Sequence, residues 1–284
     1  MPEPPVGAPE VPSAEVPSAT LAAQLRALGV RGGGVLLVHT SYRAVRPVEG
    51  GLVGLIGALR ETLGPGGTLV MPSWGGDDDR PFDPATTPAA ADLGVVADAF
   101  WRQPGVVRAS HCFAFAAAGP EAARVTSDSM PLPPHQPASP VGRVHDLDGQ
   151  VLLLGVGHDA NTTLHLAELL AGAPYRVPRH CTVPGAEGRP LRVDYGENDH
   201  CCQRFALADD WLRERGLQRE GRVGHAHARL VRARDVVAVA REYLGRDPLI
   251  FLHAAGSGCA ECDEARESVG WDADSTRSPF RRGR

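Results

Sequence analysis

No stretch of the 284-residue chain approaches the roughly 18 to 20 apolar residues that cross a bilayer, so a membrane-spanning protein is not expected. The start, "MPEPPVGAPE", lacks the basic and apolar segments of a secretory leader, which predicts a cytoplasmic protein. Positive charge is not in excess either. With 29 Lys and Arg against 34 Asp and Glu, the net charge is −5 and the basic residues form no stripe, which argues against nucleic acid as a partner. The chain has no Gly-x-Ser-x-Gly elbow and no phosphate loop ending in Gly-Lys-Ser/Thr, and "GVG" at 155–157 is too short for a dinucleotide fingerprint. Hydrolase, kinase and dehydrogenase chemistry therefore lose their usual support. Six cysteines, scattered apart from "HCC" and "CAEC", suit a reducing compartment and metal binding better than a disulfide frame.

A hydrophobic content of 43% is enough to bury the core of one large domain. Residues 1–19 repeat "EVPSA" and are rich in proline, and 271–284 show no apolar period, so both are predicted to be disordered tails around a domain over 20–270. "TLAAQLRALGV" reads as a helix capped by Thr20 and stopped by Gly29. "GVLLVHTS", "GTLVMPSW" and "VLLLGVG" read as buried strands, with "GLVGLIGALRETLG" a helix between the first two. Further on, "DHCCQRFALADDWLRERG" reads as one helix, "ARLVRA" as a short strand and "RDVVAVAREYLGRDPLIFL" as a helix running into Pro248. This alternation predicts an α/β fold with a central mixed, partly parallel sheet flanked by helices. In such sheets ligands collect beyond the carboxyl ends of strands, where "HTSYR", "PSWGGDDD" and "GHDANTTLHLAE" should converge.

The last of these carries the clearest chemistry. Asn161, Thr162 and Thr163 are helix-capping types, which puts His165 in the first turn of a helix and Glu168, three residues on, on its face. A carboxylate there fixes the imidazole tautomer and stabilises its protonated form, as a general base requires; the plain alternative is a surface histidine with an incidental ion pair. His39, Thr40 and Ser41 follow a buried strand, where hydroxyls and amides hold a carbonyl or phosphate oxygen or simply cap the next turn. Arg108 is a candidate phosphate ligand, with Ser110, His111 and Cys112 beside it. The acidic clusters "GGDDDRPFD" and "DYGEND" are solvated loops by default, but if both flank one cleft they favour a polycationic ligand. Cys259 and Cys262 form a Cys-x-x-Cys with His253 upstream, a grip for tetrahedral zinc to which "DHCC", His200 to Cys202, could lend further ligands, with Cys202 the one nominated.

Taken together, "VHTSYRAVRPVEGGLVGLIGALRETLGPGGTLVMPSW", "GVVRASHC" and "VLLLGVGHDANTTLHLAE" resemble the aminoglycoside 3-N-acetyltransferases, a family unrelated in fold to the GNAT acetyltransferases. The likeness runs from about Thr20 to Val269, and "PRHC", "RVDY" and "ENDHCCQRFALADDWL" are most similar to its type IV branch. The resemblance implies transfer of acetyl from acetyl-CoA to the 3-amino group of the deoxystreptamine ring of apramycin-, gentamicin- and tobramycin-type drugs, and hence resistance. It implies His165 as catalytic base, Glu168 as its carboxylate, Thr40 as an oxyanion donor, and His39, Thr40, Ser41, Tyr42, Arg43, Arg108, Ser110 and His111 toward the thioester and CoA. For the cationic drug we nominate Asp77, Asp79, Asn161, Glu197, Asn198 and Asp199. Where the family commonly has Arg-Ser-x-His-Pro, this chain has Arg108, Ala109, Ser110, His111 and Cys112. Two alternatives remain open: acyl transfer through a covalent Cys112, and a zinc-stabilised module that binds cations without changing them. Monomer and homodimer are equally compatible with the sequence.

Overall fold

Strands predicted from unbroken apolar runs should be buried on both faces and paired in parallel, and three of them are. In the computed structural model, which describes residues 14–127, 130–185, 187 and 189–270, the strands in chain order are Val35–Thr40 (β1), Thr68–Pro72 (β2), Val107–Arg108 (β3), Phe115–Ala118 (β4), Gln150–Leu154 (β5), Val177–Pro184 (β6), Pro190–Glu197 (β7), Gln218–Val223 (β8) and Ala226–Arg232 (β9). Seven form one sheet in the order β3-β4-β2-β1-β5-β9-β8. Its centre, β2-β1-β5, is parallel, and every pairing outward from it is antiparallel.

Alternate side chains of the central strands enter different layers. Leu36, Val38, Leu152 and Leu154 pack among helices Ser18–Leu28 and Gly51–Leu63; Val35, Leu37, Val151 and Leu153 pack on the opposite face, under helices Thr163–Ala171, Leu207–Glu214 and Ala233–Arg246. Each such burial stabilises the fold by about 1.5–3 kcal/mol. The parallel trio sends three strand ends to one edge, and Gly155 turns the chain there at φ +72°, where a Cβ would stand 2.5 Å from that of Ala44.

Some expectations need correction. The first helix begins at Ser18, not after a Thr20 cap, because Pro17 at φ −60° is compatible with a helix start. Val16 bridges to Val48, so ordered chain extends into the expected 1–19 tail. The rest of that tail, 1–13, and all of 271–284 lie outside the described residues. Gly29 ends the helix as expected, at φ 107°. "DHCCQRFALADDWL" is not one helix: a 3-10 turn covers Gln203–Ala206, the helix starts at Leu207, and Cys202 before them takes φ 58°. The β6–β7 ribbon was not foreseen. It carries the acidic 75–83 loop, through Thr182 Oγ1 donating to the Asp78 carbonyl at 2.8 Å and His180 bonding Asp79 at 2.9 Å. Among the described residues no helix is long and apolar enough to cross a membrane.

Candidate active site

The carboxyl ends of β1, β2 and β5 open into a cleft of about 750 Å³, and the β6–β7 ribbon with the segment after it closes the opposite side. All three segments expected to converge contribute to it, through His39 and Thr40, through Trp74 and Asp78, and through Asn161, Thr162 and His165.

Asn161 Oδ1 accepts from the Thr163 amide at 3.1 Å, starting helix Thr163–Ala171 and placing His165 in its first turn. His165 Nδ1 meets Glu168 Oε2 at 2.8 Å. The other carboxylate oxygen accepts from the Tyr175 hydroxyl and from His200 Nε2, the latter at 2.8 Å. Because the Cys202 amide donates to His200 Nδ1 at 3.0 Å, His200 carries its proton on Nε2 and is a donor to Glu168. Glu168 is fully buried. Burial alone would raise its carboxyl, but His200 and His165 outweigh that and hold it down to about 2. His165, Glu168 and His200 also have metal-ligating types, yet their 2.8 Å separations are hydrogen-bond lengths.

With Nδ1 committed to Glu168, Nε2 of His165 is left toward the cleft, 3.5 Å from Cys202 Sγ. His135 stacks on the ring at 5.0 Å and Phe205 meets it edge-on at 4.9 Å. Two of the neighbours that fix the ring, His135 and Cys202, have φ of 62° and 58°, a region that residues with a side chain seldom enter. Burial pulls His165 toward neutrality, but contacts with Cys202 and Glu168 prevail and raise it well above its ordinary value. His39 behaves oppositely: its Nε2 faces the Thr162 hydroxyl at 3.3 Å, and burial, with His135 and His158 nearby, lowers it to about 3. Thr40 lines the cleft, and its Oγ1 is buried without a hydrogen-bond partner among the described residues.

The remaining candidates divide. The Ser41 amide is occupied by the Leu154 carbonyl at 3.0 Å, so it is no oxyanion donor, and Ser41, Tyr42 and Arg43 do not line the cleft. Arg108 does not face it either. Its guanidinium donates to the Ser73 and Thr87 carbonyls and lies 4.2 Å over the Trp101 ring, fastening the loop after β2 rather than awaiting a phosphate. Ser110 and His111 also lie off the cleft wall, whereas Cys112 lines it. A bond to Cys181 and burial push the Cys112 thiol up, the wrong direction for a nucleophile. Asp77 pairs with Arg80 at 3.3 Å and Asp79 with His180; it is Asp78 between them that faces the cleft. Glu197 and Asp199 line it as expected, Asp199 held by Arg179 at 2.6 Å. Asn198 does not, being buried with its side chain donating to the Tyr175 carbonyl at 2.8 Å. The histidines His135 and His200 and the hydroxyl of Tyr175 were missed.

A second cluster stands behind the relay. Sγ of Cys201, Cys259 and Cys262 and a ring nitrogen of His253 all lie within 4.8 Å of one another. Cys201, not the expected Cys202, completes it, since neighbouring residues of that turn point to different places.

A family model for aminoglycoside 3-N-acetyltransferases matches residues 37–245. The chain belongs to this family. This 3-N-acetyltransferase is 67% identical over 251 residues to aminoglycoside N(3)-acetyltransferase IV of a Salmonella species, covering 88% of this chain and 95% of that protein. The crystal structure of aminoglycoside acetyltransferase AAC(3)-IVa with one histidine replaced by alanine, in complex with gentamicin, superposes at TM-score 0.90 and 66% identity over 92% of this chain and all of that one. The same variant with apramycin gives TM-score 0.82, 66% identity and coverages of 87% and 98%. AAC-IIIb, a binary complex with CoASH, is more distant, at 27% identity and TM-score 0.75 over 82% of this chain and 97% of that one. Membership makes the protein an acyltransferase of aminoglycosides with acetyl-CoA as co-substrate.

Proposed function

We propose that the chain acetylates the 3-amino group of apramycin-, gentamicin- and tobramycin-type aminoglycosides with His165 as general base. One observation carries the assignment of the base: His165 gives Nδ1 to a fully buried carboxylate and turns Nε2 to the cleft. Only the neutral amine, its ammonium proton already lost to solvent, can attack a thioester, and the attack leaves a second N–H proton that an acceptor beside it must take. As the nitrogen bonds to the acetyl carbon, His165 Nε2 takes its proton; the C–S bond then breaks, and the CoA thiolate is reprotonated from the same nitrogen. Glu168 orients the ring and stabilises the imidazolium without exchanging the proton. The Thr40 hydroxyl, unpartnered at the cleft wall, is the donor for the developing oxyanion. Asp78, Glu197 and Asp199, drawn from two distant loops, supply the negative field for a polycation. Thiol release from acetyl-CoA with a panel of aminoglycosides, followed by mass spectrometry and regiochemical analysis of the product, tests the reading. Drug recovered unchanged would leave a binding module.

We also propose that Cys201, His253, Cys259 and Cys262 hold zinc. In a tetrahedral site with Zn–S of about 2.3 Å and Zn–N of about 2.0 Å, sulfur–sulfur edges are ~3.8 Å and sulfur–nitrogen edges ~3.5 Å. The corresponding separations are 3.6 Å for Cys201–Cys262, and 3.4 and 3.5 Å from His253 Nδ1 to these two sulfurs. Purified protein should contain about one equivalent of zinc, reduced in Cys201→Ser and kept in Cys202→Ser, as read by elemental analysis.

A further inference from the structure

Three consecutive residues leave one turn for three different destinations. His200 donates to Glu168 at 2.8 Å, Cys201 joins the three-cysteine, one-histidine cluster, and Cys202 lies 3.5 Å from the cleft-facing nitrogen of His165. The turn is tightly self-bonded: the Cys202 amide donates to the His200 ring and its thiol donates to the His200 carbonyl at 3.3 Å. We infer that metal at this cluster is a positioning element for the catalytic base: by fixing Cys201 it holds His200 on Glu168 and Cys202 against His165. The inference rests on the zinc reading above.

The turn follows β7 and is joined to the 3-10 turn after it by the Phe205 amide donating to the Cys202 carbonyl at 3.0 Å, with Cys202 itself at φ 58°. The apolar cluster that packs the C-terminal helix Ala260–Glu267 against this region is small, comprising Ala173, Tyr175, Val177, Leu252, Cys262 and Ala265. Arg179 ties Asp199 to Glu264 of that helix, but the pair with Glu264 is solvent-accessible and weak for that reason. Metal–ligand bonds are stronger and directional, and Cys201 is the one ligand contributed from the catalytic side. His253, Cys259 and Cys262 come from the C-terminal segment, which also seats Tyr175, the third donor to Glu168. The cluster thus joins the last described part of the chain to the relay at the cleft. Thr40, at the end of β1, belongs neither to the cluster nor to the hydrogen bonds on Glu168, so KM for acetyl-CoA is expected not to depend on the metal.

The test uses the purified full chain loaded with zinc. The metal is withdrawn stepwise with a chelator, and bound zinc, far-ultraviolet circular dichroism, kcat and KM for acetyl-CoA are followed on the same samples. The expectation is a fall in kcat of at least about tenfold in proportion to zinc lost, with KM and the dichroism unchanged, and recovery on adding back one equivalent of zinc. A kcat indifferent to zinc in folded protein overturns the inference and leaves the zinc reading intact; purified protein that neither contains nor binds zinc overturns both. Should complete withdrawal unfold the chain, Cys259→Ser leaves three ligands and a weaker site, so that partial occupancy is reached in folded protein. There kcat must still follow occupancy at constant KM, and a flat kcat overturns the inference.

Discussion

His39 and His165 line the same cleft, yet their surroundings shift their basicity in opposite directions. His39 meets a neutral hydroxyl and two further imidazoles, and burial lowers it to about 3. Desolvation acts on His165 as well, but Cys202 and Glu168 outweigh it and raise it well above the ordinary value. The partner, not the burial, decides which imidazole can exchange a proton near neutrality. The upward shift of His165 is compatible with its role as base, because an arriving polycation disfavours imidazolium and works against Glu168.

The largest effect should come from removing the raised histidine. His165→Ala is expected to lower turnover by roughly 10²–10⁴-fold, while acetyl-CoA still binds, as measured by steady-state kinetics and calorimetry. Glu168→Gln should cost less turnover, since it orients rather than exchanges the proton, but it also disturbs three donors in a fully buried place. An unsatisfied buried donor costs about 1–3 kcal/mol, so Tm should fall by several degrees in calorimetry. A larger loss of turnover than in His165→Ala would reverse the assigned roles. Next come the rim carboxylates. Neutralising Asp78, Glu197 and Asp199 together should raise the aminoglycoside KM on the order of tenfold and flatten its dependence on salt, with kcat much less changed. A collapse of kcat at constant KM would put them inside the reaction centre.

The smallest effect concerns the lowered histidine. A group that binds protons in the unfolded chain near 6.5 but only near 3 when folded contributes stability above 6.5, and loses it as pH falls toward 3. His39→Gln, which cannot titrate, should therefore show a shallower fall of Tm between those pH values than the parent chain. An unchanged acid slope would remove His39 as a contributor.

Much of this was legible in the sequence where periodicity is strong. The runs that form β1, β2 and β5 are apolar on both faces, as a parallel sheet centre demands, and the three-residue spacing of His165 and Glu168 on one helix fixes their contact. What was not legible lies in segments without a period. Within "GGDDDRPFD" nothing says which aspartate turns inward, and it is Asp78. Within "DHCC" a turn, not a helix, sends Cys201 and Cys202 apart, and it is Cys201 that joins the three-cysteine, one-histidine cluster. His200 and Tyr175 reach Glu168 from outside its helix, and only the tertiary fold brings them there. The β6–β7 ribbon has little signature in the sequence because "VPRHCTVP" has proline at its second and last positions and lacks clean alternation.

The most direct test of His165 as a base raised by Cys202 and Glu168 is the pH dependence of kcat/KM for one aminoglycoside in the parent chain and in Glu168→Gln. Using one drug cancels the ionisation of its own amine, so that any displacement belongs to the enzyme. Activity requires neutral His165, so the parent profile should rise with pH through a limb above the ordinary imidazole value. Without the carboxylate charge, that limb should move to lower pH. Superimposable limbs in the two proteins, or a shift to higher pH in the variant, would contradict the account.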